Sequence, residues 1–436
     1  MLSILGLIVA LSLLILMTIR GMSLLVAAPL AAVIVALSGS LHLLPSAGTE
    51  TNFIEAYMNG FNSFVGSWFF MFLFGSIFGK FMEETGAAHS IAHWITARIG
   101  AQNAMLAVVL ACAVMTYGGV SVFIVAFSAY PIAVSLFKEA NLPRRFIPAT
   151  IAFGSITFTM TSAGSPEIQN WIPIKYLGTS PYAAWEVSIV VAIIMAVMGY
   201  FWLNRMLNHA VASGEVFETR EDDPVAEKTG AISGPNPIAS LLPLLCILLI
   251  TFFFHESLKQ SALLVALFAG CIAAWLLAPK NFKNINVTMG EGAMGALIAI
   301  ANTAAVVGFG SVVKVSPAFD MLVNSLNAIP GNPLVAAGVS ISLIAAVTGS
   351  ASGGQSIALP VLAPDFLESG EDPEALHRVV AISSGALDSL PHNGFVVTLI
   401  RAICGESHKT AYAPLGAVTV IVPLIGTIIA TALLSL

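Results

Sequence analysis

Charge is what this sequence has least of. Only 9% of its 436 residues are Asp, Glu, Lys or Arg, 57% are hydrophobic, and the mean hydropathy is +0.91. A soluble domain carries about 25% charged residues. So little charge cannot cover a water-facing surface, and the chain reads as a membrane protein. The same scarcity excludes a disordered chain and a nucleic-acid binder with its basic surface. Cysteine is scarce too: Cys112, Cys246, Cys271 and Cys404 are scattered, with no CxxC spacing. That excludes a secreted disulfide scaffold and a cysteine-built metal site, and no disulfide is expected. No basic residue precedes the first apolar run, which opens Met1-Leu2-Ser3-Ile4. This pattern predicts a retained first helix rather than a cleaved signal peptide.

Long apolar runs are present in number. A helix crossing hydrocarbon needs ~20 apolar residues, and such runs occupy 3–19, 22–44, 61–82, 183–204, 238–254, 261–278, 293–313 and 412–434. Four further stretches are apolar but interrupted. Residues 104–137 break at Thr116-Tyr117-Gly118-Gly119-Val120-Ser121, and 334–364 break between Thr348 and Ser356. Residues 146–176 break between Ser162 and Asn170, and 376–403 break between Asp388 and Gly394. The one long polar stretch, 205–237, reads as a cytoplasmic linker between two halves.

The halves match in order. Gly118-Gly119 and Gly353-Gly354 are the two Gly-Gly pairs of the sequence, 235 residues apart, each followed by x-Ser. The same offset pairs Gly60 with Gly295 and Phe74-Gly75-Ser76 with Phe309-Gly310-Ser311. The expected division is 1–204 as a first repeat, with hairpin 104–137 and broken helix 146–176. The second repeat is 238–436, with hairpin 334–364 and broken helix 376–403. Stretches 104–137 and 334–364 are too long for one upright helix and too short for two plus a turn, which predicts re-entrant hairpins. Charge placement agrees. If both stretches return without crossing, thirteen of the seventeen Lys and Arg fall on one side, leaving Lys175, Lys259, Lys314 and Arg378 on the other. If each crosses, the split becomes 8 to 9. With hairpins each half crosses five times. The repeats are then inverted, with about ten transmembrane helices, interrupted helices at the midplane, and both termini outside the cytoplasm.

Inverted repeats with matching interruptions point to a secondary transporter with its site near the bilayer midplane. Broken helices expose N–H groups that attract anions and C=O groups that attract cations. The candidate substrate-binding residues are Gly118, Gly119, Ser121, Ser165, Gln169, Asn170, Gly353, Gly354, Gln355, Ser356, His392 and Asn393. Charged groups within spanning segments are costly and point to function, so Glu167 and Asp388, with Ser389, are the candidates for ion coupling. No Lys or Arg lies within the four interruptions. The expected substrate is a small organic anion, moved with a cation (a proton or sodium) and without a cofactor or metal.

Plainer roles stay open. The glycine pairs serve equally for close helix packing. Glu167 follows Pro166 and suits a helix start. Asp388 suits a cap, and His392 suits a carbonyl freed by Pro391. His89 and His93 lie four apart beside Trp94 on an amphipathic stretch that reads as interfacial. Asp388, Ser389 and His392 are the residue types of a hydrolase triad, but five consecutive positions cannot set them in triad geometry. A passive anion channel would carry a ring of basic side chains, and none stands at the interruptions.

The run Gly118-Gly119-Val120-Ser121, then Leu142-Pro143-Arg144-Arg145 and Gly164-Ser165-Pro166, resembles the gluconate permease family. So do Gly353-Gly354-Gln355-Ser356 and, above all, the run from Ser384 to Gly394. That family belongs to the wider ion-transporter superfamily. The resemblance implies a homodimer in the cell inner membrane and a static scaffold beside an elevator-like transport part. It also implies uptake of small organic anions with protons or sodium. Around Ser162 to Trp171, with Phe158 and Met160 nearby, the chain looks most like the branch carrying 3-hydroxybutyrate, with sugar acids as the alternative.

Overall fold

The computed structural model describes residues 2–45, 51–220, 234–259, 261–327, 331–368 and 370–436. Among these residues every regular element is helical. The first half runs α1 (Leu2–Ile19), α2 (Leu24–Ser38), α3 (Phe53–Glu84), α4 (Ala87–Ile99), α5 (Ala104–Tyr117), α6 (Val122–Glu139), α7 (Ile147–Ala152) and α8 (Trp185–Ala212). The second runs α9 (Pro237–Leu258), α10 (Ser261–Leu277), α11 (Ile285–Lys314), α12 (Pro317–Asn327), α13 (Pro333–Thr348), α14 (Ala351–Glu368), α15 (Pro373–Ser384), α16 (Gly394–Ile403) and α17 (His408–Leu434). Helices α1, α3, α6, α8, α9, α11 and α17 are long and apolar enough to cross a membrane. Leucine, phenylalanine and valine on their outer faces are exposed, as a lipid-facing surface requires.

The long helices α3 and α11 are the spine. Small residues let their backbones approach closely. Gly60 lies against Ser311 and Gly308, Gly292 against Ile77, and Gly295 against Ser76. These contacts run in opposite directions along the two helices, so α3 and α11 are antiparallel. The offset of 235 seen in the sequence carries Gly60 to Gly295 and Ser76 to Ser311. It therefore turns the Gly60–Ser311 contact into the Gly295–Ser76 contact. A two-fold rotation exchanges the two helices, and its axis lies across them, in the plane of the membrane they span. The architecture is all-helical and polytopic, with two inverted repeats.

Each half then places two shorter helices side by side across a tight turn. In α13–α14 the turn is Gly349-Ser350, and Gly349 takes a left-handed conformation at φ +59°. In α5–α6 it is Gly118 to Ser121, with Gly119 at φ +92°. The glycine pairs that suggested the repeat are not equivalent in space. Gly353 and Gly354 lie inside α14, where a side chain on Gly354 would meet the Ala345 backbone of α13. Gly349 is the counterpart of the turn glycine Gly119. One pair makes a turn and the other permits close packing, which is why the sequence match there misleads.

Two more sequence readings need correction. Helix α8 continues to Ala212, because the amphipathic pattern outlasts the apolar run. The connection between the halves is therefore shorter than 205–237. Residues 221–233, Lys228 included, lie outside the described residues. The first residues of the connection clasp the rest of the protein. Arg145 donates to both oxygens of Glu215 at 2.6 and 2.7 Å, and Arg220 donates to Glu406 at 2.6 Å and to the Gly405 carbonyl at 2.8 Å. The other correction is Arg378. Read as a solvent-side cation, it is instead fully buried.

Candidate functional site

The two broken helices meet inside the hairpins. After α7 a π-helical turn (Phe153–Thr157) gives way to irregular chain as far as Trp171, with a single 3-10 turn at Ile168–Asn170. Such irregular backbone leaves carbonyls without helical partners. Arg378 of α15 supplies the donors. Its guanidinium donates to the carbonyls of Thr161 at 2.8 Å, Ala183 at 2.9 Å and Pro181 at 3.2 Å, and to Oδ1 of Asn170 at 2.8 Å. Asn170 in turn donates to the carbonyls of Ser162 and Ser165, and Trp171 Nε1 donates to Ser165 at 3.2 Å. The first break is thus a rigid polar knot tied by an arginine from the other repeat.

The second break, from Gly385 to Asn393, is tied to the α13–α14 turn. Asn393 Nδ2 donates to the Gly349 carbonyl at 3.1 Å and to the Asp388 carbonyl at 3.2 Å, while its Oδ1 caps α16 by accepting from Val396 N–H at 2.9 Å. Asp388 accepts from Ser389 Oγ at 2.9 Å and lines the cavity beside Ala351, the first residue of α14. Gln355 Nε2 joins both breaks, donating to the Gln169 carbonyl at 3.1 Å and to Ser384 Oγ at 3.0 Å.

Where these parts converge there is a cavity of about 150 Å³. Its wall takes Ser121 from the α5–α6 turn, Gly349 to Ser352 from the α13–α14 turn, Glu167 and Gln169 from the first break, and Asp388 and Asn393 from the second. All four interruptions contribute. A larger, mainly apolar chamber of about 340 Å³ adjoins it, lined by Met71, Phe123, Phe127, Leu263, Leu267 and Ile298 among others. The two share Phe72, Ser121, Phe123, Glu167, Ile168, Ala299 and Asn302.

Helix ends face this space. The N-terminus of α14 is capped by Ser350, whose Oγ accepts from Gly353 N–H at 3.1 Å; Asn393 caps α16. The N-terminus of α6 has no such cap: Ser121 stands there and its side chain makes no capping bond. An uncapped helix N-terminus presents N–H donors and a positive dipole to an anion.

Six of the sequence candidates line these cavities: Gly119, Ser121, Glu167, Gln169, Asp388 and Asn393. The others do not. Gly118 packs on Leu244, and Ser165 and Asn170 belong to the knot around Arg378. Gly353, Gly354, Gln355 and Ser356 lie in α14; Ser389 sits behind Asp388; the His392 ring packs against Gly349. Two residues escaped sequence reading. Arg378 was counted only as a cation on one side of the membrane, because nothing in a linear sequence shows which carbonyls a fold will leave open. Asn302 is a lone amide inside an apolar crossing, a signal that was available. Among the described residues no cluster of three His, Cys, Asp or Glu could hold a metal ion.

A family profile described as "GntP family permease" matches residues 2–436. The chain belongs to the GntP permease family. It is 35% identical over 453 aligned positions to the uncharacterized transporter YxjC of Bacillus subtilis (strain 168), covering 94% of both chains. It is 24% identical, over 72% of each chain, to an uncharacterized transporter of Haemophilus influenzae. A segment covering 21% of each chain is 33% identical to the high-affinity gluconate transporter of Escherichia coli (strain K12). In fold it resembles the YdaH transporter of Alcanivorax borkumensis, whose crystal structure was described as having an unusual topology. The TM-score is 0.55 at 15% identity, covering 100% of this chain and 98% of that one. This GntP-family chain is a multi-pass membrane transporter and not an enzyme.

Proposed function

We propose that the protein imports a short hydroxy-monocarboxylate such as 3-hydroxybutyrate together with a proton. The observation that carries this reading is the shared wall of the two chambers. There Ser121, at the uncapped N-terminus of α6, shares the wall with Glu167, whose carboxylate accepts no hydrogen bond and forms no ion pair among the described residues. A substrate carboxylate at α6 receives N–H donors and a favourable dipole. Beside an ionised Glu167 it meets a like charge at close range, and two such groups share a proton rather than both ionise. Anion entry and protonation of Glu167 then favour one another, which is symport in its thermodynamic form.

The rest of the substrate extends into the apolar chamber. A sugar acid carries a hydroxyl on every carbon beyond the carboxyl, and each would need a partner against Phe123, Phe127 and Ile298. A short acid with one hydroxyl and a methyl end suits that wall better. Gluconate is the second reading, favoured by the similarity to the gluconate transporter segment.

Several further elements belong to this reading. They are the division into repeats 1–204 and 238–436, an inner-membrane location with both termini outside the cytoplasm, a homodimer in lipid, and elevator-like movement of the hairpins and breaks against α3 and α11. Counterflow into proteoliposomes tests the substrate. The expectation is uptake of labelled 3-hydroxybutyrate against an unlabelled internal pool. Competition by gluconate but not by 3-hydroxybutyrate would replace the first substrate with the second.

A further inference from the structure

Polar side chains around the two chambers fall into two groups. Most already have a partner inside the protein. Thr303 donates to the Ala299 carbonyl at 3.1 Å, Thr398 to Gly394 at 2.8 Å, and Ser350 lies 3.4 Å from Ser352. Asp388 and Asn393 are held as described above. Among the described residues five make no side-chain bond: Ser76 in the larger chamber, Gln169 in the smaller, and, on the wall common to both, Ser121, Glu167 and Asn302. Ser121 stands at the anion end and Glu167 is the coupling carboxylate. Asn302 is left without a role.

An unpaired amide in a membrane crossing is expensive. Asn302 sits in α11 between Ala301 and Thr303, in a run otherwise built for close packing on α3. It makes no hydrogen bond across to α3, unlike Tyr57, which donates from α3 to the Ala305 carbonyl of α11 at 2.9 Å. Helix packing therefore does not use it. Its amide, with donors and an acceptor together, faces the boundary between the polar chamber at α6 and the apolar chamber beyond.

We infer that Asn302 binds the hydroxyl of the substrate and so makes the transporter selective for hydroxy acids over their deoxy counterparts. The inference rests on the reading of the site as one for a short hydroxy-monocarboxylate. A carboxylate held at α6 places a nearby carbon at this boundary. A hydroxyl there completes the bonds of the amide, and its two hydrogen-bonding capacities, donor and acceptor, are both met. A plain hydrocarbon at the same point leaves the amide desolvated and unpaired, which is how a buried polar site rejects an analogue lacking one hydroxyl.

The experiment compares transport efficiency for 3-hydroxybutyrate and for butyrate in proteoliposomes, using the wild type, Asn302→Leu and Asn302→Ser. The wild type is expected to prefer the hydroxy acid by about tenfold or more. Asn302→Leu, close in shape, is expected to lose that preference chiefly by improved butyrate uptake, a gain that a misfolded protein cannot show. Asn302→Ser replaces the amide with a hydroxyl of shorter reach and is expected to fall between. If Asn302→Leu or Asn302→Ser transports with the wild-type preference intact, the inference is overturned. If both variants lose all transport, including butyrate, while the purified proteins still melt as the wild type does, Asn302 is not a selectivity residue and the inference is likewise overturned. A wild type that takes up neither acid overturns the substrate reading itself, a result visible before any variant is made.

Discussion

In the first break the carboxylate of Glu167 lines the cavity with no bonding partner among the described residues, while in the second Asp388 is held by Ser389. Both breaks come from equivalent places in the two repeats, and each brings one carboxylate to the same cavity. Their supports are opposite. The first break is stiffened by a buried arginine and leaves its acid free. The second has no arginine: its acid is bonded to Ser389, and Asn393 ties the break to the α13–α14 turn. On the proposed reading the two acids divide the labour, one available for exchange and one acting as a strut.

Breaking the strut on either side tests this comparison. The largest effect is expected from Arg378→Met. The variant keeps the bulk of the arginine stem but removes the guanidinium donors from the knot, leaving the Thr161, Pro181 and Ala183 carbonyls and the Asn170 amide oxygen without those bonds. Losing a buried charge network of this kind costs about 3–5 kcal/mol. The purified protein should melt many degrees lower, or fail to accumulate in membranes. Wild-type melting would mean the first break holds itself together.

Asp388→Asn should do less, because Asn retains one acceptor oxygen while turning donors toward donors. The expected cost is about 1–3 kcal/mol at the turn. It should be read as weaker substrate binding with uphill transport still coupled to protons. Binding at wild-type strength would remove Asp388 from the strut role, and loss of coupling with binding intact would reverse the assignment of the two acids.

The smallest effect lies outside the membrane, at the clasp. The Arg145 guanidinium, bonded to both oxygens of Glu215, holds that carboxyl below the usual glutamate range. A lowered folded value means the pair contributes at and above the ordinary glutamate value of about 4.3 and is lost as pH falls through the lower folded value. Both side chains are partly exposed, at 30% and 39%, so the contribution after screening is about 1 kcal/mol or less. Glu215→Gln should melt slightly below wild type at pH 7, and the difference should close in acid. A difference that grows in acid would contradict the sign.

Much of the fold was legible because the bilayer demands it. Runs of apolar residues near the required length gave six of the seven helices long enough to cross, while α2 and α10 are shorter and α6 belongs to a stretch read as a hairpin; Gly119 marked its turn, whereas the turn at Gly349 was missed. The offset of 235 was legible for a deeper reason: Gly60, Ser76, Gly295 and Ser311 meet across the two-fold, so the same contact constrains all four. The second glycine pair was misread because glycine serves turns and close packing alike. The site was half legible. Glu167 and Ser121 stood out as polar residues at interruptions. Whether such a residue is spent on the protein, as Asn170 and Gln355 are, or free for a ligand depends on partners more than a hundred and eighty residues away. No local pattern carries that.

On the proposed reading Glu167 is the exchangeable acid. The most direct measurement is uptake of labelled substrate into proteoliposomes under an imposed pH gradient, comparing wild type with Glu167→Gln, and the same two proteins in counterflow without a gradient. The account predicts that the wild type concentrates substrate along the proton gradient, whereas Glu167→Gln exchanges substrate in counterflow but does not accumulate it. Gradient-driven accumulation by Glu167→Gln at the wild-type level would contradict it.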